Sequence, residues 1–184
     1  MPALFYVVGA SGVGKDSLIQ YARDAVGEAQ RVVFAHRYIT RPVDAGGENH
    51  IALTVSEFLL RKRQGLFAMD WESHGYRYGV GVEVDAWLAR GLTVVVNGSR
   101  RYIPIAATRY PDMKVVWITA PPHVRVQRLE RRGRENGREI AARLARDAWP
   151  GMAPPGEALQ IANDGTLESA GGRLIELLSE TRRL

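Results

Sequence analysis

Gly9-Ala10-Ser11-Gly12-Val13-Gly14-Lys15 has the residue types and spacing that hold phosphate groups. Backbone N–H groups of a glycine-permitted turn and the N-terminus of the helix beyond it together form an anion nest. A lysine closing the turn reaches the outer phosphates of a nucleoside triphosphate. The next position ordinarily carries a hydroxyl that holds magnesium, but here it is Asp16. Ser17 does not take its place, because about 100° of helix separates neighbouring residues. Such sites also use a carboxylate at the end of an adjacent strand, and the strand-like run TVVV (93–96) ends instead in Asn97. An acid has appeared at 16 where one is lacking at 97. Asp16 therefore supplies the magnesium (Mg2+) site with its one carboxylate, or it only favours the first helical turn through the dipole.

Other residues of chemical interest are arginines and a few polar groups. Arg125, Arg128, Arg131, Arg132, Arg134, Arg138, Arg143 and Arg146 share a short stretch with only Glu130, Glu135 and Glu139. That is a solvated helix face or an anion clamp. Arg41, between Thr40 and Pro42, is a strand-end surface residue or a phosphate contact. Glu48 comes after two glycines as a turn acid, or it meets a hydroxyl or magnesium. Tyr78 reads as core or as substrate contact, and Asn163 as a turn initiator or a base contact. His36, His50, His74 and His123 are scattered and are expected at the surface or in turns. Trp71, Trp87, Trp117 and Trp149 are expected to pack.

The elements that must position these groups can be read from apolar patterning. LFYVV (4–8), VVFA (32–35), TVVV (93–96), KVVWI (114–118) and the fainter ALQIA (158–162) are rich in β-branched residues and do not alternate with polar ones. Strands covered on both faces read this way. Helical patterns occupy 15–26, 84–90, 99–110, 124–132, 139–148 and 167–183. The alternation predicts an α/β fold with a parallel five-stranded sheet flanked by helices. Residues 40–82 break the rhythm with turn signals, aromatic stretches and a small helix opened by the capping box Thr54-Val-Ser-Glu57. They predict an inserted acceptor-binding subdomain in one domain spanning 1–184, with core 1–39 and 83–184.

The 184 residues suffice for one ordinary core. The net charge of +5 would permit a nucleic-acid partner. However, the apolar runs look buried and no aromatic–basic reading face accompanies them, so none is expected. Of the basic residues only Lys15, Lys62 and Lys114 are lysines, and the 22 arginines suit bidentate phosphate contact as well as a GC-rich genome. There are no cysteines, which excludes disulfides. The opening apolar run is too short for a signal peptide or a membrane span, so a cytoplasmic protein without a membrane partner is expected, as monomer or homodimer.

GASGVGKDSL, TRP…GGE (40–48), G-x-F and YG (65–67, 78–79), RLERRGRE…IAARL (128–144) and ND (163–164) together resemble the guanylate-kinase branch of the P-loop kinases over almost the full chain. The resemblance implies ATP with Mg2+ and an Arg-rich lid over about 125–146. In that lid Arg132 and Arg143 touch the transferring phosphoryl, and Arg128 lies near the adenine. It also implies that Arg41, Glu48 and Tyr78 surround the acceptor's phosphate. The departures matter as much. Met69 stands where guanylate kinases read the guanine edge with a glutamate, and Val80 replaces the threonine of YGT. The stretch after Glu48 lacks the acceptor-facing tyrosine, and Arg134 replaces a lid threonine.

The acceptor thus keeps a phosphate and loses its base. With GKDSL, YITRP, GGENH and VVNGSR, the pattern resembles the ribose 1,5-bisphosphate phosphokinases of bacterial phosphonate degradation. This implies a phosphorylated sugar as the small-molecule partner beside ATP. A guanylate or other nucleoside monophosphate kinase remains an alternative reading, and a non-catalytic binding module a second one, though such modules tend to lose the loop that stands intact here.

Overall fold

Strand β1 (Leu4–Gly9) is inaccessible over Leu4–Val8, and its successive side chains go to opposite faces of the sheet. Phe5 and Val7 pack with Leu18, Ile19, Ala22, Ile161, Leu174 and Leu178. Leu4, Tyr6 and Val8 pack with Val84, Val94, Val96, Ala106 and Trp117. Each such large side chain contributes about 1.5–3 kcal/mol by leaving water. A strand buried on both faces cannot alternate in polarity, which is why its run is continuously apolar.

The computed structural model describes residues 3–42, 48–131, 133, 137–147 and 155–180. After β1 come α1 (Lys15–Ala25), a 3-10 turn (Glu28–Gln30), β2 (Val32–Phe34), β3 (Arg37–Ile39), β4 (Ile51–Ala52), α2 (Val55–Arg63), β5 (Phe67–Ser73) and β6 (Tyr76–Gly81). Then come α3 (Glu83–Ala89), β7 (Thr93–Asn97), a second 3-10 turn (Arg100–Tyr102), α4 (Ile103–Arg109), β8 (Lys114–Thr119), α5 (Pro122–Arg131), α6 (Gly137–Asp147), β9 (Leu159–Ala162) and α7 (Leu167–Glu180). Among the described residues no helix is long and apolar enough to cross a membrane.

The main sheet is parallel, in the order β2-β7-β1-β8-β9, and its strands are the five expected ones. Val7 of β1 registers with Asn97 and Gly9 with Ile118, so the glycine loop leaves the sheet between the ends of β7 and β8. Ligands of open α/β sheets bind at this carboxyl edge. The expected single helix over 99–110 is a 3-10 turn and then α4, with Pro104 in the first turn of α4, where its missing N–H leaves no helical bond unmade.

The second sheet has the order β4-β3-β6-β5 and carries α2, whose N-cap Thr54 accepts a hydrogen bond from the Glu57 N–H at 3.1 Å. The aromatic stretches form the antiparallel hairpin β5–β6, turning through His74 and Gly75, both at positive φ. The first strand of this sheet begins at Arg37, ahead of the boundary at 40 read from the sequence. Met69 and Val80 of the hairpin join the apolar cluster over β1 and β7, which docks this sheet against the core.

Candidate active site

The glycine loop is held from behind. Arg125 and Arg128, one turn apart on α5, donate hydrogen bonds to loop carbonyls: Arg125 Nε to Ser11 O at 2.9 Å and Arg128 Nη1 to Val13 O at 3.1 Å. Arg128 Nη1 also reaches Asn163 O at 2.9 Å. Asn163 is buried and donates its amide nitrogen to Val13 O at 2.6 Å. Because a trans peptide sets C=O and the adjoining N–H on opposite sides, these tethers turn the N–H groups of Gly12 and Gly14 the other way, as an anion nest requires. Gly14 caps α1 at φ 84°, and a Cβ there would lie 2.5 Å from the Asn163 amide nitrogen, so the position excludes side chains twice over. Alongside the turn or adenine role expected of Asn163 and the adenine role expected of Arg128, their described hydrogen bonds give them a place behind the loop. Both brace the loop.

In front of the loop runs a connected chain of charged side chains joined through one amide. Lys15 donates to the Asn97 amide oxygen and lies 3.3 Å from Asp16 Oδ1. Asn97 Nδ2 donates to Asp16 Oδ1 and to Glu48 Oε2, each at 2.9 Å. Glu48 is gripped by Arg37, Nε to Oε2 at 2.8 Å and Nη2 to Oε1 at 2.5 Å, and Arg41 lies 3.9 Å away. The ring nitrogens of His50 lie 3.1 Å from the carbonyl oxygens of Glu48 and Arg41, tying the two residues together. Contrary to the surface or turn position expected for it, His50 is buried.

Asn97 is aimed by its chain neighbours Gly98 and Ser99. A Cβ on Gly98 would lie only 2.3 to 2.7 Å from atoms of the Tyr6 ring, whose hydroxyl accepts from Ser99 N at 3.0 Å and donates to Ser99 O at 3.2 Å. The chain leaving β7 is thus pressed flat on Tyr6, and Asn97 turns toward Lys15. An amide suits the position because it accepts from a cation while donating to carboxylates. An aspartate there would add a third negative charge. Burial would raise the Asp16 carboxyl, but Lys15, Arg37 and the Asn97 hydrogen bond outweigh it and hold the group well below the usual carboxylate range. Burial, with help from Arg37, lowers the Lys15 ammonium, against the pull of Asp16 and Glu48.

Among the described residues no cluster of three or more His, Asp or Glu side chains forms a cation cage. Magnesium in phosphoryl-transfer sites is held by one or two carboxylates together with substrate phosphates. Asp16 and Glu48, gathered around one amide nitrogen in front of a phosphate loop, fit that donor set.

Of the remaining expected residues, Arg41 carries a buried Nε that makes no hydrogen bond among the described residues. Tyr78 is buried, its ring stacked on Trp71 at 5.6 Å with the Arg37 guanidinium 5.1 Å away. Arg132 lies outside the described residues, as does the side chain of Arg143 on α6. Asp16, Arg23, Glu48, Asn49, Asn97 and Leu167 border a cleft of about 500 Å³. Sequence reading missed Arg37 and Arg23. The signal for Arg37 was its place two residues before Ile39, on the inward side of a period-two strand.

No family model matches the chain. It is 57% identical over 182 residues to the ribose 1,5-bisphosphate phosphokinase PhnN of Burkholderia pseudomallei, covering 98% of this chain and 97% of that protein. It is 52% identical over 177 residues to the protein of the same name from Thiobacillus denitrificans, covering 96% and 93%. Among solved structures, guanylate kinase from Anaplasma phagocytophilum matches 98% of this chain and 87% of its own, with a TM-score of 0.67 at 16% identity. A sugar kinase from Janibacter covers 97% and 95%, with a TM-score of 0.52 at 18% identity. These likenesses show the fold alone: a helix-flanked parallel α/β sheet of the P-loop kind, as in guanylate kinase. With half or more of its residues identical to these relatives over nearly their whole length, and with the GKDSL loop and the VVNGSR strand end meeting through Lys15 and Asn97, the chain belongs to the ribose 1,5-bisphosphate phosphokinase family.

Proposed function

We propose that this chain transfers the γ-phosphoryl group of ATP to the 1-phosphate of ribose 1,5-bisphosphate, giving 5-phosphoribosyl 1-diphosphate in bacterial phosphonate catabolism. The relatives' shared name supports this reading. The structural observation that carries it is the pair Met69 and Val80, opposite each other across β5 and β6 and both fully buried among apolar side chains. Guanylate kinases place polar groups at these positions. A site that hydrogen-bonds a base discriminates strongly because its unpaired groups are costly, and this one has replaced them with core.

The attacking group is a phosphate oxygen whose second pKa is about 6, so it is ionised at neutral pH without a general base. An oxygen of the 1-phosphate forms a bond to Pγ, the bond from Pγ to the β,γ-bridging oxygen breaks, and ADP leaves with that electron pair. The protein's part is to align the reactants and offset their charge. In this reading the nest formed by Gly9, Ala10, Ser11, Gly12, Val13 and Gly14 holds the donor phosphates, with Lys15 against the outer ones and Ser17 beside them. Arg41, Glu48, Tyr78 and Asn97 frame the acceptor. Arg128 and Asn163 keep the loop in shape, and the resemblance assigns Arg132 and Arg143 to the moving phosphoryl. Asp16 and Glu48 would hold magnesium, which neutralises phosphate charge when bound. Dependence on ATP fits a cytoplasmic protein.

The test is a comparison of acceptors. With ATP and Mg2+, ribose 1,5-bisphosphate is expected to yield 5-phosphoribosyl 1-diphosphate and ADP, monitored by phosphorus NMR, while GMP gives no comparable turnover. Turnover of GMP at a similar rate would overturn the assignment.

A further inference from the structure

Arg23 is a cation without a counter-ion among the described residues. It sits on α1, seven residues after Asp16. Seven residues are 20° short of two full turns and rise about 10.5 Å, so both side chains stand on the same face of the helix. Both border the same cleft. The Arg23 guanidinium lies 5.5 Å from the ring centre of Phe34, and its Nη1 is 3.1 Å from His36 Nε2. Arginine only donates, so His36 accepts through Nε2 and carries its proton on Nδ1. Burial and the neighbouring Arg23 lower the His36 ring and outweigh Glu83, which favours protonation, so the ring stays neutral beside the cation.

Arg23 Nε is buried and makes no hydrogen bond, and no carboxylate lies within 4.0 Å of the guanidinium among the described residues. Asp24, next in sequence, accepts from Gln20 at 2.7 Å instead. A part-buried charge held only by a neutral ring nitrogen and an aromatic face has lost hydration without gaining a counter-ion. Phosphate, like carboxylate, presents oxygens that match an arginine fork, and it is the anion a sugar bisphosphate supplies.

We propose that Arg23, oriented by Phe34 and His36, binds the second phosphate of the acceptor, the one that does not react. This rests on the reading of the acceptor as a sugar bisphosphate. The cleft then has two anion ends: Lys15, Arg41 and the Asp16–Glu48 pair where phosphoryl transfer occurs, and Arg23 two helical turns away. A pentose phosphorylated on its first and fifth carbons bridges them. Selectivity for a bisphosphate over a monophosphate comes from this far end.

Two measurements test it, and they separate this proposal from the assignment of activity. The first compares KM for ribose 1,5-bisphosphate and for ribose 1-phosphate, which lacks the far phosphate, in wild type and Arg23→Gln. Loss of one charge-assisted contact is expected to raise KM for the bisphosphate about 10- to 100-fold, to leave KM for ribose 1-phosphate and ATP in place, and so to erase the preference. The second is calorimetric binding of ribose 5-phosphate, which carries only the far phosphate and cannot react at C1. Wild type is expected to bind it, and Arg23→Gln to bind it about 10- to 100-fold more weakly. Arg23→Lys, which keeps the charge without the fork, falls between the two and serves if the glutamine variant melts early. Should wild type bind ribose 5-phosphate through Arg23 yet fail to phosphorylate the bisphosphate, the activity assignment falls and the anion end stands. Unchanged affinity and unchanged preference in the Arg23 variants overturn the proposal.

Discussion

Arg37 and Glu48 meet in a two-point fork, 2.8 and 2.5 Å, with each side chain only about a tenth exposed. The fork fixes the torsion of the carboxylate and so delivers Oε2 to the Asn97 amide. Lysine keeps the charge at 37 but offers a single point of contact. Arg37→Lys is therefore expected to lower kcat/KM about 10- to 100-fold and to raise the magnesium concentration for half activity, with little loss of fold. Arg37→Met leaves the buried Glu48 carboxylate to the Asn97 amide and the more distant Arg41, and the cost approaches the ~3–5 kcal/mol of a broken buried pair. Thermal melting should then fall by about 6–20 °C for a domain of this size. If the lysine variant keeps wild-type magnesium dependence, Arg37 does not act through Glu48.

The division of labour between positions 16 and 97 predicts a compensating pair. Asp16→Ser removes the ionised carboxylate beside Lys15 and is expected to raise the magnesium requirement about tenfold or more. Asn97→Asp alone crowds a third carboxylate against Asp16 and Glu48 and withdraws the amide that both accept from, so it too should be strongly impaired. The double variant moves one acid from the helix to the strand end, and its magnesium titration should be closer to wild type than that of either single change. Contacting residues with this kind of exchange are strongly non-additive. Simple addition of the two losses would mean that Asp16 only caps the helix.

How much of this was visible in the residues depends on how local the cause is. The phosphate loop was legible because glycine spacing is itself the geometry, and the main sheet because a strand covered on both faces must be apolar throughout. The second sheet was not, since FAMDWES and YRYGVG owe their strand form to aromatic cross-strand packing such as Trp71 on Tyr78, which no short-range rule encodes. Arg41, Glu48 and Asn97 were legible as polar oddities beside a loop, yet their linkage required Arg37 and His50, which arrive from β3 and from the residue before β4. Asn163 was visible, but its function under Val13 depends on β9 ending beside the loop.

Acid stability should fall in two separable windows. The folded-state pKa of His36 lies below its unfolded value of about 6.5. The unfolded chain therefore binds more protons there, and stability is lost as pH falls below about 6.5 toward the folded value. Asp16 is depressed from about 3.9, so its contribution is complete above pH 4 and is lost only below it. Urea unfolding across pH should show His36→Gln flattening the upper segment and Asp16→Asn the lower one. Identical slopes in the His36 variant and wild type between pH 5 and 6.5 would show that Arg23 does not oppose its protonation.

Two glycines make opposite predictions for the same chemical change. Gly172 lies within α7, with open space where a Cβ would stand. Gly172→Ala removes only unfolded-chain freedom and should stabilise by about 0.5–1 kcal/mol. Gly98 lies on the Tyr6 ring, so Gly98→Ala must push either the ring out of the core or the chain off it. Overpacking of this sort costs about 1–3 kcal/mol, a fall in melting temperature of about 2–12 °C. The more telling readout is activity. Asn97 immediately precedes Gly98, and a shift of about 1 Å at the strand end would part its amide from Lys15, Asp16 and Glu48 together, with a loss on the order of a hundredfold in kcat. Gly98→Ala at wild-type activity, with melting no lower than that of Gly172→Ala, would show that Tyr6 does not set the position of Asn97.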